Sequence, residues 1–354
     1  MEHLMPKIRE IADKITASEE QRKKLASFLL SADPGKMLSF PVKKVELNKI
    51  RIAAVDGGIV KRSLHGFDFV LARGVSVVFS YTWGRVEKVE YYPDKVSSPE
   101  PSVMEALSDM DYAHSSSIIR QRAEIRTAIE TVRRFRPDII LLDGSIIPRY
   151  QDRPAKTSGV FSGYMELIAL YKELFTTCKN NNTLLAGVVE DSRGTRFCDM
   201  VKENVLGKIN DPAIDDMREI LEKSRDTSLL FWFLSEGERT CVFPYSDRPE
   251  EHPVLADFGE FTGQLHSFYM KTAKYDRPIR IDFLGDRETA AKLDSAILSI
   301  SGHHAGYGLP SVLIEADQVA KLAEQDMDSF YETVMSLTGN LPGVFRLRRD
   351  SRPF

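Results

Sequence analysis

The stretch Arg51-Ile-Ala-Ala-Val-Asp-Gly-Gly58 runs an apolar segment directly into a carboxylate and two glycines. Such a run predicts a strand that ends near Asp56, with the glycines in a tight turn and the carboxylate facing a cleft. The segment Ile139-Ile-Leu-Leu-Asp143-Gly-Ser145 repeats the arrangement. Two such carboxylates on one sheet would suit a hard divalent metal ion.

The composition is that of an ordinary folded protein, with 354 residues, 42% hydrophobic content and a net charge of −4. This charge gives no global basic field, so any contact with nucleic acid must come from a local patch. Six arginines fall close together and form either such a patch or a solvated helix face: Arg120, Arg122, Arg126, Arg133, Arg134 and Arg136.

The three cysteines, Cys178, Cys198 and Cys241, are an odd number and contain no CxxC pair. This pattern argues against a disulfide framework and a zinc knuckle, and it suits a reducing cytoplasm. The first residues lack the apolar core of a signal peptide, and no run approaches the roughly 18 apolar residues of a membrane span. We therefore expect a cytoplasmic protein with no membrane segment.

Periodicity predicts an alternation of helices and strands after an antiparallel meander. Residues 5–30 read as helix, with a second helix starting at Ser18, and Ser31–Gly35 break the pattern. The predicted strands are 51–55, 67–80, 86–92, 138–142, 184–189 and 279–283, with turns at 57–58 and at Trp83-Gly84. The predicted helices are 116–135, 160–176, 212–224, 287–299 and 312–325.

This order of elements predicts an α/β protein with a ribonuclease-H-like mixed sheet flanked by helices. We expect an N-terminal helical segment at 1–45, a core domain at 46–330 that contains an elaboration at 197–275, and a C-terminal tail at 331–354. In this architecture acidic residues converge over the sheet, and Glu124 is the best candidate on the intervening helix. Glu130 points further around that helix and is expected to be solvated.

Three carboxylates would suit phosphodiester cleavage, which needs an activated water and neutralisation of the charge that grows on the phosphorane. Two Mg²⁺ or Mn²⁺ ions held by oxygen ligands meet both needs. Asp56 alone is equally well explained as a turn-forming residue. Asp56, Glu124 and Asp143 together, in this order of elements, favour a metal site.

Several segments together resemble the NurA nuclease family over roughly residues 50–325. They are Val55-Asp-Gly-Gly58, Arg120-x-Arg-x-Glu124, Leu141-Leu-Asp-Gly-Ser145, Gly187-Val-Val-Glu-Asp-Ser192 and Gly306-Tyr-Gly-Leu-Pro-Ser-Val-Leu-Ile-Glu-Ala-Asp317. Each segment alone is weak, whereas their order and spacing are fairly specific.

The resemblance implies a manganese-dependent DNA nuclease that processes DNA ends in double-strand break repair. It would degrade strands from the 5′ end and cut single strands, as a homodimer working with the hexameric HerA ATPase. Asp56, Glu124 and Asp143 match the acidic metal ligands of the family. Four residues are candidate DNA contacts: Arg120, Arg122, Ser192 and Tyr269.

Two positions depart from the family pattern. Glu190 stands where a lysine that steadies a phosphate is expected, and Asp317 stands where a histidine is frequent. Asp317 can still bind a hard metal, and His303 or His304 could substitute for the missing histidine. Trp83, Phe231 and Trp232 could stack on bases, although packing explains the last two equally well. The basic stretch 345–352 could contact DNA or the ATPase, or it could be a frayed terminus.

Two other function classes remain open. Sugar kinases and actin-like ATPases also begin with strand-Asp-Gly-Gly, but this chain lacks a second Gly-rich loop, and Gly57-Gly-Ile-Val-Lys61 is not a P-loop. A non-catalytic adaptor of a DNA-translocating ATPase would explain the altered positions 190 and 317. Retention of all three carboxylates speaks against it, because buried acids that repel each other are costly without a metal.

Overall fold

A computed structural model describes residues 2–32, 37–209, 214–339 and 341–348. The helices are α1 (Met5–Ala32), α2 (Asp109–Phe135), α3 (Phe161–Asn180), α4 (Arg196–Asn204), α5 (Asp215–Lys223), α6 (Asp226–Phe233), α7 (Arg287–Ser299), α8 (Ser311–Ala320) and α9 (Glu324–Thr338). The strands are β1 (Ser39–Pro41), β2 (Ile50–Ser63), β3 (Phe67–Thr82), β4 (Arg85–Tyr92), β5 (Glu100–Glu105), β6 (Ile139–Asp143), β7 (Leu184–Val189), β8 (Glu238–Thr240), β9 (Phe243–Pro244), β10 (Leu265–Lys271) and β11 (Ile279–Leu284). No helix in these described ranges is both long and apolar enough to cross a membrane.

All of these strands join one mixed sheet with the order β1-β8-β10-β11-β7-β6-β2-β3-β4, while β5 pairs with β3 and β9 with β10. Strands β2, β3 and β4 form the predicted antiparallel meander. Strand β6 runs parallel to β2, and β7 runs parallel to β6. The central order β4-β3-β2-β6-β7 confirms the predicted ribonuclease-H-like sheet.

The alternation of side chains along the central strands gives the sheet two buried faces. Val55 and Leu142 face the layer made by α2 and α3, where Ile125 packs against them. Ala54 and Leu141 point the other way and pack with residues of α7 and α8. Helix α2 starts earlier than predicted because the Ser108 side chain accepts a hydrogen bond from the N–H of Asp111 and caps the helix.

Strand β2 does not end at Asp56, so the predicted turn at 57–58 is wrong. The ladder with β3 continues through both glycines, with Gly57 opposite Gly74 and Gly58 opposite Arg73. A Cβ on Gly58 would lie 1.8 Å from the carbonyl oxygen of Ala320, at the end of α8. The glycines therefore let helices approach the strand closely. The other predicted turn is confirmed, since Trp83 and Gly84 both have positive φ, at 50° and 72°.

Other boundaries also differ from the prediction. The N-terminal segment is one continuous helix, α1, and no second helix starts at Ser18. Helix α8 ends at Ala320, and α9 follows, so the predicted boundary between residues 330 and 331 lies inside a helix. The elaboration at 197–275 contributes three strands to the sheet, and its aromatic run lies in helix α6. Residues 33–36, 210–213, 340 and 349–354 lie outside the described residues, so the predicted break, helix start and basic tail are only partly described.

The close approach at Gly58 predicts a measurable effect on stability. Gly58→Ala must push β2 away from α8, and we expect it to lower the unfolding free energy by about 1–3 kcal/mol. Thermal unfolding monitored by circular dichroism measures this. Gly159→Ala is the matched control, because a Cβ there meets nothing within 4 Å. Equal melting temperatures for the two variants would contradict this packing.

Candidate active site

Three elements bring the predicted carboxylates together. Asp56 lies within β2 and Asp143 ends β6, and the pairing of Val55 with Leu142 makes the two aspartates the next residues on neighbouring parallel strands. Glu124 projects from α2 onto the same place, and a Cβ on Gly57 would be 3.1 Å from its Oε2. Asp56 and Glu124 are only 6% and 3% exposed. The glycine in β2 therefore provides the space that Glu124 occupies.

Burial and mutual repulsion disturb the titration of all three acids. Burial raises the pKa of Glu124 to about 8, and the charges of Asp56 and Asp143 oppose its ionisation further. Burial also raises the pKa of Asp143 to about 7, with Asp56 and Glu190 acting in the same direction. The pKa of Asp56 is raised by burial, although the N–H of Gly57 donates to its Oδ1 at 2.6 Å.

The cluster has one cation in direct contact among the residues that the structure describes. The Nη1 of Arg120 lies 3.0 Å from the Oε2 of Glu124, one helical turn away. Two further acids face the cluster: burial raises the pKa of Glu190, and the charge of Asp317 acts on Asp56, Asp143 and Glu190. The negative charge therefore exceeds the positive charge, and the site favours a further cation.

The donor set fits a hard divalent cation, because its carboxylates offer only oxygen. Within the described part of the chain, no three His, Cys, Asp or Glu side chains already have the spacing of a metal-coordination shell. The carboxylate of Glu124 instead bonds to Arg120. Holding a metal would therefore require Glu124 to exchange at least part of this contact for the ion.

A cleft of about 810 Å³ opens beside Glu124 and Asp143, on the α2 face of the sheet. Arg149, Ser145 and Arg280 also line it. A smaller cleft of about 390 Å³ continues from it and contains Lys61 and His114, and the two clefts share Arg120 and Arg149. The acids therefore stand at the side of a groove with basic residues along it.

The four predicted DNA contacts occupy different places. Arg120 lies in the cleft, whereas Arg122 pairs with Glu166 of α3 at 3.0 Å. Ser192 lines the cleft but is 5% exposed, and its Oγ lies 3.0 Å from the Tyr269 hydroxyl. Tyr269 has no exposed surface and donates to the buried Asp226. Tyr269 is thus placed to hold Ser192 rather than to touch a nucleotide directly.

The remaining sequence candidates contribute less to the cluster. Asp317 is exposed on α8 and near enough to act on the pKa values of the acids. His303 and His304 lie exposed in the preceding loop, where the Nδ1 of His304 accepts from the N–H of Gly306.

The Nε1 of Trp232 donates to Glu19, which supports packing rather than base stacking. Glu130 is part-exposed and pairs with Arg133, as expected for a solvated residue.

Sequence reasoning missed the far wall of the cleft. Tyr245 and Arg280 line it. In the sequence, only the spacing of Arg280 and Asp282 in strand β11 indicated it. Two charged residues at i and i+2 in an otherwise apolar strand point to the same face. That pattern predicts a polar site on one side of a buried strand.

The sheet order, the three convergent acids and the adjoining cleft define a nuclease of the ribonuclease-H-like class. A NurA domain family model matches residues 50–322, so the chain belongs to the NurA family. Family membership confirms the predicted resemblance, the fold class and the prediction of a nuclease.

Solved structures share the fold of this chain. The NurA nuclease from Sulfolobus solfataricus has 17% sequence identity and a TM-score of 0.57, over 93% of this chain and 97% of that one. A NurA structure bound to dAMP and manganese has 12% identity and a TM-score of 0.54, over 98% and 100% of the chains. A NurA structure with manganese has 12% identity and a TM-score of 0.51, over 94% and 98%. None of the curated proteins matches the chain significantly.

The raised pKa values predict how stability depends on pH when no metal is present. Because Glu124 titrates near 8 in the folded protein and near 4.5 in the unfolded chain, the folded state binds more protons between these pH values. Stability contributed by the protonated form is therefore lost as pH rises through this window. In EDTA, we expect Glu124→Gln to flatten the fall in melting temperature between about pH 5 and 8. Parallel curves for wild type and variant would show that Glu124 titrates normally.

Proposed function

We propose that this protein is a metal-dependent DNA nuclease that hydrolyses phosphodiester bonds. The observation that carries the proposal is the convergence of Asp56, Glu124 and Asp143 beside the cleft. Their pKa values are raised, and the five acids of the cluster outnumber the one cation in contact with it in the described part of the chain, Arg120. Such an arrangement is costly unless a bound cation compensates it. The match to the NurA family model supports the same activity.

Asp56, Glu124 and Asp143 would hold the metal, with Asp317 and Glu190 as further oxygen ligands. Manganese is the proposed ion, because solved NurA structures contain it, and magnesium is the alternative. We propose two ions, since the five acids offer more ligands than one ion would require from the protein. The bound ions would neutralise charge on the phosphorane and lower the pKa of the attacking water.

The residues of this chain prepare the site before substrate arrives. The N–H of Gly57 fixes the Asp56 carboxylate through Oδ1, so one ligand is already oriented. Glu124 and Asp143 hold protons near neutral pH and release them when a cation compensates their charge. Arg120 lines the cleft as well as bonding to Glu124, so its other N–H groups can donate to a phosphate oxygen.

The finer parts of the proposal rest on the family. A solved NurA structure binds dAMP, which supports DNA as substrate. We propose degradation from the 5′ end and cutting of single strands, in double-strand break repair with a HerA-type ATPase. Cytoplasmic location agrees with the two buried cysteines Cys178 and Cys198, which form no disulfide.

Substitution of the acids tests the nuclease directly. Asp56→Asn, Glu124→Gln and Asp143→Asn should each lower the cleavage of end-labelled DNA in Mn²⁺ by about a thousandfold, because each removes a ligand charge. EDTA should abolish cleavage. Glu130→Gln, on the same helix but paired with Arg133, should cleave like wild type.

Other outcomes of this assay would favour the competing classes. Cleavage that survives Asp56→Asn would show that the site lies elsewhere. A protein that cuts no DNA but binds a HerA-type ATPase would be an adaptor. ATP hydrolysis by the chain alone would favour a kinase-like enzyme.

The N-terminal helix supports the proposed homodimer. Ile8, Ile11 and Ile15 recur on one helical face and are between 46% and 60% exposed. Apolar surface of this kind is typical of an interface.

We expect Ile11→Glu to convert a dimer into monomers, as measured by sedimentation velocity. The matched control is Lys14→Glu, which changes an exposed residue that pairs with Glu10. A monomeric wild type, or a dimer unaffected by Ile11→Glu, would contradict this interface.

A further inference from the structure

The far wall of the cleft contains a buried ion pair on strand β11. Arg280 and Asp282 lie at i and i+2, and the Nη2 of Arg280 lies 2.8 Å from the Oδ2 of Asp282. Asp282 has no exposed surface and also accepts a hydrogen bond from the Oγ of Ser267 at 2.7 Å. Asp282 therefore neutralises the guanidinium and fixes its orientation.

The ion pair leaves donors of Arg280 unused at the cleft. Its Nε is buried and has no hydrogen-bond partner in the described ranges, and its Nη1 reaches the Oγ of Ser192 only at 3.5 Å. The Oγ of Ser145, beside the Tyr245 hydroxyl, also lacks a hydrogen bond of normal geometry among the described residues. Both side chains lie beside the Tyr245 hydroxyl, and an acceptor in the cleft would satisfy donors of a kind that is normally satisfied when buried.

A second buried pair uses its guanidinium differently. Arg153 donates to both carboxylate oxygens of Asp257, through Nε at 2.8 Å and Nη2 at 3.3 Å. That pair joins two nitrogens of the guanidinium to one carboxylate. Arg280 instead lines the cleft, and only its Nη2 bonds to the carboxylate of Asp282.

The surroundings hold Arg280 ready for a ligand. The guanidinium carbon lies 5.5 Å from the centre of the Tyr245 ring, which covers one side of it. Ser192 is held by Tyr269, which in turn donates to Asp226. Asp226 also accepts from the N–H groups of Phe197 and Cys198 at the start of α4. These contacts orient the side chains of the wall without a ligand.

The sheet register places this wall at a useful distance from the acids. Asp143 pairs with Val188 on β7, and the next residue, Val189, pairs with Arg280 on β11. Two strand spacings of about 4.8 Å put the two backbones about 10 Å apart. An extended nucleic-acid strand crosses such a distance within a few nucleotides, while the acids contact the bond to be cut.

We propose that Arg280, with Ser145, binds the phosphate that flanks the scissile one and so fixes the register of the DNA strand in the cleft. The chemistry required is a non-bridging phosphate oxygen, which accepts from a guanidinium fork and a hydroxyl. This inference rests on the proposed nuclease activity and adds a positioning contact to it.

A methylphosphonate walk tests the contact. Oligonucleotides carry one uncharged methylphosphonate at successive positions around the main cut, and kcat/KM is measured in Mn²⁺. For wild type, we expect one flanking position to lower kcat/KM about tenfold. The variant Arg280→Gln/Asp282→Asn removes the ion pair as a unit. The kcat/KM of this variant for the unmodified oligonucleotide should be lower than that of wild type. A methylphosphonate at the one flanking position should lower it no further.

Two further variants keep the result interpretable. Arg239→Gln/Asp294→Asn removes an equally buried pair away from the cleft and should keep the wild-type sensitivity at every position. Ser145→Ala breaks no hydrogen bond of normal geometry, so it tests the contact even if the double variant fails to fold. It should reduce partly the effect of the methylphosphonate at the flanking position.

The outcomes separate the two proposals. Arg280→Gln/Asp282→Asn and Ser145→Ala could both keep the wild-type loss of kcat/KM at every methylphosphonate position. That result would overturn the phosphate contact and leave the proposed nuclease activity intact. A wild type that cuts no unmodified oligonucleotide in Mn²⁺ would overturn the nuclease itself, and the contact with it.

Discussion

Electrostatic repulsion among buried carboxylates is the constraint on which the arrangement of this protein depends. Asp56, Glu124 and Asp143 come from two strands and a helix, and burial opposes the ionisation of all three. Without metal, the structure tolerates them by retaining protons, by the Arg120 contact and by the N–H of Gly57. A divalent cation could replace the retained protons, because it compensates the charge of the carboxylates once they ionise.

Glycines around the acids give Glu124 and the neighbouring helices room beside the strands. Glycines at 57, 58 and 74 allow α2 and α8 to approach the longest strands more closely than any side chain would permit. A Cβ at Gly74 would lie 2.4 Å from the carbonyl oxygen of Ala123, one residue before Glu124. Gly57 and Gly74 therefore determine how closely Glu124 approaches the sheet.

Much of this could be predicted from the sequence. Apolar runs and helical periodicity located the central strands and α2, and the order of Asp56, Glu124 and Asp143 predicted that these acids lie together. The turn predicted at Gly57 and Gly58 was wrong because a local pattern cannot show that a helix end occupies the space beside a strand. The same limit applies to Tyr269 and Ser192, whose burial depends on packing by distant segments. Strand β5 was missed because its residues are largely exposed. Helix α9 was missed although Met327, Phe330, Tyr331 and Val334 have helical spacing and pack against β2 and β3.

The central claim is that the clustered carboxyl groups hold protons without metal and exchange them for a metal ion. Calorimetric titration of Mn²⁺ into the protein at about pH 6.5, in two buffers of different ionisation enthalpy, measures the protons released on binding. We expect Mn²⁺ to bind with net release of protons, because Glu124 and Asp143 are largely protonated at this pH. Release should fall in Glu124→Gln and again in Glu124→Gln/Asp143→Asn. Binding without proton release, or binding unchanged in the double variant, would contradict the account.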